Sequence, residues 1–143
     1  MLSDIKEVNM AFEGYLLKVG AYEIPMEFIA AKTYDVTRNV MELKAYRDAN
    51  GTLHRNTVSH VPIKINFKTP ARLSNQDIEA VLSNIRANYK SALERKASIT
   101  CYVPEIDDYI KQDMYMPDIT MPISEIDGTT VYYEAIKITF IGY

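Results

Sequence analysis

From Val61 to Lys68 the chain alternates, with Val61, Ile63, Ile65 and Phe67 apolar and Pro62, Lys64, Asn66 and Lys68 between them. A period of two places every second side chain on one face, so this stretch predicts a strand with one buried face. Pro62 cannot donate to a ladder and belongs at the strand's start or on an edge. Upstream, Tyr15 to Val19, Tyr22 to Ile24 and Lys32 to Val40 read as strands, with Gly20-Ala21 as the first turn and Tyr34, Val36 and Val40 on one side of the third. The period then changes. Ile78, Val81, Leu82, Ile85, Tyr89 and Leu93 fall three and four apart, the stripe of a helix over about 75–93. Ser74 is its N-cap, Asp77 completes a capping box, and Leu73 and Ile78 occupy the staple positions. Asn75, Glu79, Arg86, Lys90 and Glu94 form a polar face, so this helix should lie on a sheet.

Alternation returns in Ala97, Ile99, Cys101 and Val103, a strand closed by Pro104. Shorter strand signals follow at Met114–Met116 and Ile119–Ile123. Asp127-Gly128 is a type I′ hairpin signal leading into a final strand. In that strand the apolar phase slips near Ala135, which implies a bulge or a strand buried on both faces. These elements predict a β-rich α+β domain: a sandwich or partly closed barrel of about eight mainly antiparallel strands with one flanking helix. The stretch 46–56, YRDANGTLHRN, interrupts this plan. Asn50-Gly51 predicts a type I′ turn, but its arms carry Arg47, Asp48, His54 and Arg55 where a hairpin lying on the core would need an apolar face. A hairpin over about 44–58 should therefore project from the body.

Composition narrows the chemistry. With 48% hydrophobic and 24% charged residues the chain should fold, and its length suits one domain. Cys101 is the single cysteine, which excludes an internal disulfide or a thiolate zinc cluster and suits a reducing cytoplasm. No apolar run is long enough to cross a membrane, and the N-terminal residues lack a secretory pattern, so a soluble chain not exported by that route is expected. Residues 28–102 carry twelve basic against six acidic side chains, and residues 103–143 carry two against eight. A pI of about 5.4 and the lack of any basic run argue against a phosphate-tracking surface, and sequence-specific nucleic-acid binding is not expected. Opposite patches meeting within the fold or between copies are. His54, His60 and Asp48 could be drawn as metal ligands, but the two histidines are spaced too widely along one strand to share an ion. Cys101 sits on the apolar parity of its strand, where a buried thiol is expected and an activated one is not. No catalytic motif is present, and no cofactor or metal is expected. The acidic run EIDDYIKQDMYMPD lacks calcium-loop spacing and reads as a solvated or partner-facing loop. Eleven tyrosines suit strands and protein interfaces, with Tyr102, Tyr109 and Tyr115 as candidates for stacking on sugars.

MAFEGYLLKVGAYEIP, YRDANGTLHRN, QDMYMPDI and the terminal ITFIGY, in this order, resemble a group of small tail proteins of phages and prophages of Gram-positive bacteria, encoded without a defined function among tail genes near the tape measure. The resemblance runs from Met10 to Tyr143 as one tail-protein domain and leaves residues 1–9 as an N-terminal extension, expected to be mobile. It implies a phage tail-tube-like fold and a structural subunit of the tail tube or distal baseplate hub. Such a subunit is made in the host cytoplasm, carried in the virion, and assembled into a ring with itself and with tape-measure and hub proteins. No catalytic residue is implied. Tyr46, Arg47, Asp48, Asn50, Gly51, His54 and Arg55 are the residues expected to touch a partner. The alternatives are a carbohydrate-binding module at the tail tip and an assembly factor absent from the finished particle.

Overall fold

The computed structural model describes residues 12–57 and 59–143. The expected extension at residues 1–9 lies outside the described residues. Among these residues twelve strands and one α-helix run in the order β1 (Leu17–Val19), β2 (Tyr22–Glu23), β3 (Asp35–Arg38), β4 (Glu42–Arg47), β5 (Leu53–Thr57), β6 (Ile63–Lys68), β7 (Leu73–Ser74), α1 (Asn75–Ala87), β8 (Lys96–Val103), β9 (Asp108–Tyr115), β10 (Ile123–Asp127), β11 (Thr130–Tyr133) and β12 (Lys137–Gly142). The main sheet has seven strands in the order β2-β1-β8-β9-β12-β6-β3; β10-β11-β7 form a second sheet and β4-β5 a third. Every pairing is antiparallel. The main sheet stays open, with β2 and β3 as its edges, so no barrel closes.

The clean alternations become the core. β8 buries Ala97, Ile99, Cys101 and Val103, and β6 buries Ile63, Ile65 and Phe67 with Pro62 just ahead of it. Against them pack Phe140, Ile138 and Met114 from the neighbouring strands and Ile78, Val81, Leu82 and Ile85 from α1. Ser74 Oγ accepts from Asp77 N at 3.2 Å and Asp77 Oδ2 accepts from Ser74 N at 3.2 Å, closing the expected capping box.

Five expectations need correcting. The helix stops at Ala87, because Asn88 leaves helical geometry and caps it; Leu93 is 97% exposed and belongs to a turn. Lys32 to Val40 yields only Asp35–Arg38, and Val40 is exposed. The acidic run is no loop: Asp108–Tyr115 pairs with β8 over its whole length and with β12 on the other side. Its charged side chains, Lys111 and Asp113, alternate outward, which hid the strand. Ile119–Met121 forms no strand, and β10 starts only at Ile123. The phase slip near Ala135 is neither a bulge nor a doubly buried strand. The chain leaves the second sheet after Tyr133 and enters the main sheet at Lys137, so two strands facing different layers meet there. Thr69, buried at 1% exposure, clamps this crossing: its N–H donates to Ile136 O and its Oγ1 accepts from Ile136 N, each at 2.9 Å.

Candidate assembly site

Among the described residues β4 and β5 pair only with each other, and every residue of both is exposed. The sequence dictates this separation. Neither arm has an apolar face to bury, so nothing draws the hairpin onto the core. Its register sets Tyr46 opposite His54 and Arg47 opposite Leu53, with an irregularity between Glu42 and Lys44. Tyr46 and His54 stack at 5.0 Å, and Lys44 Nζ lies 5.6 Å from the Tyr46 ring centre. Arg55 pairs with Glu42 on the same hairpin.

The tip differs from the type I′ turn expected. Asp48 O accepts from Gly51 N at 2.9 Å, Asp48 N donates to Thr52 O at 3.0 Å, and within this turn only Gly51 has positive φ, at 82°. That is a three-residue loop ending in a left-handed glycine, which a side chain at Gly51 would strain. Asp127-Gly128 departs similarly: Gly128-Thr129 is the two-residue loop, with positive φ at Gly128 alone, the type II′ pattern. At the arm's tip Asp48 Oδ1 accepts from Asn50 N (2.9 Å) and Thr52 N (3.1 Å), and Asp48 Oδ2 lies 2.9 Å from His54 Nε2. The His54 contact, then the backbone bond from Thr52, hold the Asp48 carboxyl below the usual carboxylate range. Arg47 Nη1 donates to Gly51 O at 2.9 Å. Asp48, His54, Arg47 and Gly51 thus brace the tip, a role the sequence did not separate from contact. Tyr46 (52% exposed), Leu53 (46%) and Leu43 (75%) remain as exposed apolar groups. Leu43 was missed because an isolated leucine among charges gives no periodic signal.

The remaining candidates fall elsewhere. Cys101 is fully buried, donates to Ile110 O at 3.7 Å, and is pushed up to about 12 by burial. His60 contacts the Tyr143 carbonyl, so neither histidine joins the thiol. Among the described residues no three His, Cys, Asp or Glu side chains gather as metal ligands, and no helix is long and apolar enough to cross a membrane. Tyr102 and Tyr109 pack edge-on at 5.6 Å, Tyr109 stacks on Tyr15 at 4.7 Å, and Tyr115 packs on Tyr143 at 5.5 Å, so these rings cover one another. The basic middle and acidic end meet largely inside the chain: Arg38–Glu105 (3.7 Å), Arg72–Glu125 (3.1 Å), Lys90–Asp113 (2.7 Å) and Arg95–Asp118 (2.8 Å).

No curated protein matches the chain in sequence. A chain in the tail of an empty gene transfer agent particle, resolved with C6 symmetry, aligns over 93% of this chain and 95% of its own length at TM-score 0.50 and 10% identity. A chain of the native gene transfer agent virion aligns over the same shares at 0.48 and 9%. One from the extended sheath–tube complex of an extracellular contractile injection system aligns over 99% and 93% at 0.43 and 16%. At such identities the likeness to the first is one of fold. Over residues 10–143 the chain matches the family of unknown function DUF6711, and it belongs to that family.

Proposed function

We propose that this chain is a non-enzymatic structural subunit of a phage-type tail, in the tube or the distal baseplate hub, whose copies join into a ring by docking the β4–β5 arm on a neighbour. The working unit is the single domain 10–143, carried in the virion, with tape-measure and hub proteins as further partners. The observation that carries this reading is the arm itself. Its two strands bury none of their residues, pair with no other described strand, and still expose Leu43, Tyr46 and Leu53 among their charges. A lone two-stranded hairpin is marginal in water, so a well-braced one that pairs with no other described strand is suited to a partner. Aromatic and aliphatic anchors ringed by charge are the usual centre of such contacts. The shared fold with a chain of a C6 tail is in keeping with this reading.

Leu43→Ser with Tyr46→Ser tests it by sedimentation of the purified full-length chain. Loss of two central apolar contacts should weaken assembly by at least about tenfold while thermal stability of the subunit stays unchanged, since both side chains are exposed. Assembly equal to that of the parent removes the arm from the mechanism.

A further inference from the structure

The outward face of the main sheet at β3, β6 and β12 holds an unabsorbed feature. Register sets Lys68 directly opposite Lys137, and Lys64 lies on the same face of β6, opposite Thr37 of β3 and Ile141 of β12. Lys32, in the turn leading to β3, lines one depression of about 400 Å³ with Lys68, Lys137 and Asp35; Lys64 and Lys137 line a second of about 490 Å³ with Asp118, which pairs with Arg95. All four lysines are exposed, and none has an acidic partner among the described residues. Arg38, Arg55, Arg72, Arg86, Lys90 and Arg95 are each paired; Lys44, Arg47, Lys96 and Lys111 also stand without an acidic partner among the described residues, but away from this face. Asp35 stands on this face too, but Asn66 Nδ2 donates to it at 3.2 Å, and Thr139 donates to Asn66 Oδ1 at 2.8 Å. Like charges directly across an antiparallel pair destabilise it. The Lys68–Lys137 pair therefore works against the fold and calls for a counter-charge from outside.

We infer that this lysine face binds the phosphate backbone of a nucleic-acid duplex without reading its sequence. Two features favour phosphate over a protein partner. Protein interfaces are depleted in lysine and centred on apolar or aromatic groups, whereas the middle of this face is Asn66, Thr139 and lysine. Lysine ammonium groups are donors that hold phosphate oxygens, and here they are the free ones, since Thr139 donates to Asn66 and Asn66 to Asp35. Lys64 and Lys68 lie about 13 Å apart along their strand, enough to span several charges of a duplex that carries one per about 1.7 Å of its axis. The face exposes no aromatic ring, the nearby Phe67 being buried, so contact stops at the backbone. The sequence concealed it because the lysines come from two strands and a turn and form no basic run. Binding of this kind does not depend on the arm or on ring formation.

The test is fluorescence anisotropy of a random-sequence DNA duplex titrated with the full-length chain across a salt series. Binding should show a slope of log K against log salt of about −3 to −4 and weaken about a hundredfold between about 50 and 200 mM salt. Lys68→Glu with Lys137→Glu should lower affinity at least tenfold and flatten the slope by about two, with the melting temperature no lower than the parent's. Lys137→Glu alone places opposite charges across the pair, so it should weaken binding while the fold holds or gains. Absence of binding at low salt overturns the inference, as does a double variant that binds like the parent. A double variant that loses self-assembly while keeping its DNA affinity also overturns it, by assigning the face to a subunit contact.

Discussion

Cys101 shows how far one residue's environment can be argued from its neighbours in sequence. Its place between Ile99 and Val103 on an alternating strand predicts a buried thiol, and the structure buries it completely. Burial lifts its ionisation from an ordinary value of 9.0 to about 12. A raised pKa keeps the thiol protonated in the fold, so its contribution to stability is complete below pH 9 and is lost as pH rises toward 12. Tyr34, also raised chiefly by burial, with its hydroxyl donating to Tyr102 O at 2.7 Å, adds to the same alkaline loss. In native protein at pH 8 a thiol reagent should modify Cys101 slower than a free thiol by a factor on the order of 10³ or more, and denaturant should abolish the protection. Cys101→Ala should flatten part of the stability decline above pH 9. Rapid labelling of the folded chain would contradict the burial argument. The arm's residues were less legible. Arg47, Asp48, Gly51 and His54 signalled a projecting turn, but whether a charged side chain braces its own hairpin or reaches a partner depends on cross-strand register, which the sequence pattern does not carry.

Strands with one wet face and one dry face, β6 and β8, and the capped start of α1 were readable because periodicity and capping chemistry are local. β9 was not. Its outward side chains are charged and its proximity to Pro104 and Pro117 resembles a loop, while its pairing with β8 and β12 is a long-range fact. The crossing between β11 and β12 was legible only as a change of apolar phase. Its cause is the passage from one sheet to another, and Thr69 is the side chain that satisfies the backbone there. Thr69→Val keeps the shape and removes the acceptor for the Ile136 N–H, so it should destabilise the fold by about 1–3 kcal/mol, read as a lower denaturant midpoint with an unchanged slope. Thr69→Ser should recover most of that loss, and a valine variant as stable as the parent would show that the clamp contributes nothing.

For the molecule as a whole, the contrast between a basic middle and an acidic end was legible, but its use was not. Four ion pairs spend much of it inside the chain, leaving an arm with exposed apolar groups and a separate lysine face. Surface pairs of this kind add little stability, so their consumption matters more for which charges stay available than for the fold. The account therefore rests assembly on the arm's apolar contacts rather than on whole-molecule charge. The direct measurement is electron microscopy of the purified full-length chain at its highest soluble concentration, beside the same chain with the 42–57 hairpin replaced by a short Asn-Gly turn. Closed rings from the parent, with the arm of each subunit seated on the next, and single subunits from the shortened chain are the predicted result. A parent that stays monomeric, or a shortened chain that forms the same rings, would contradict it.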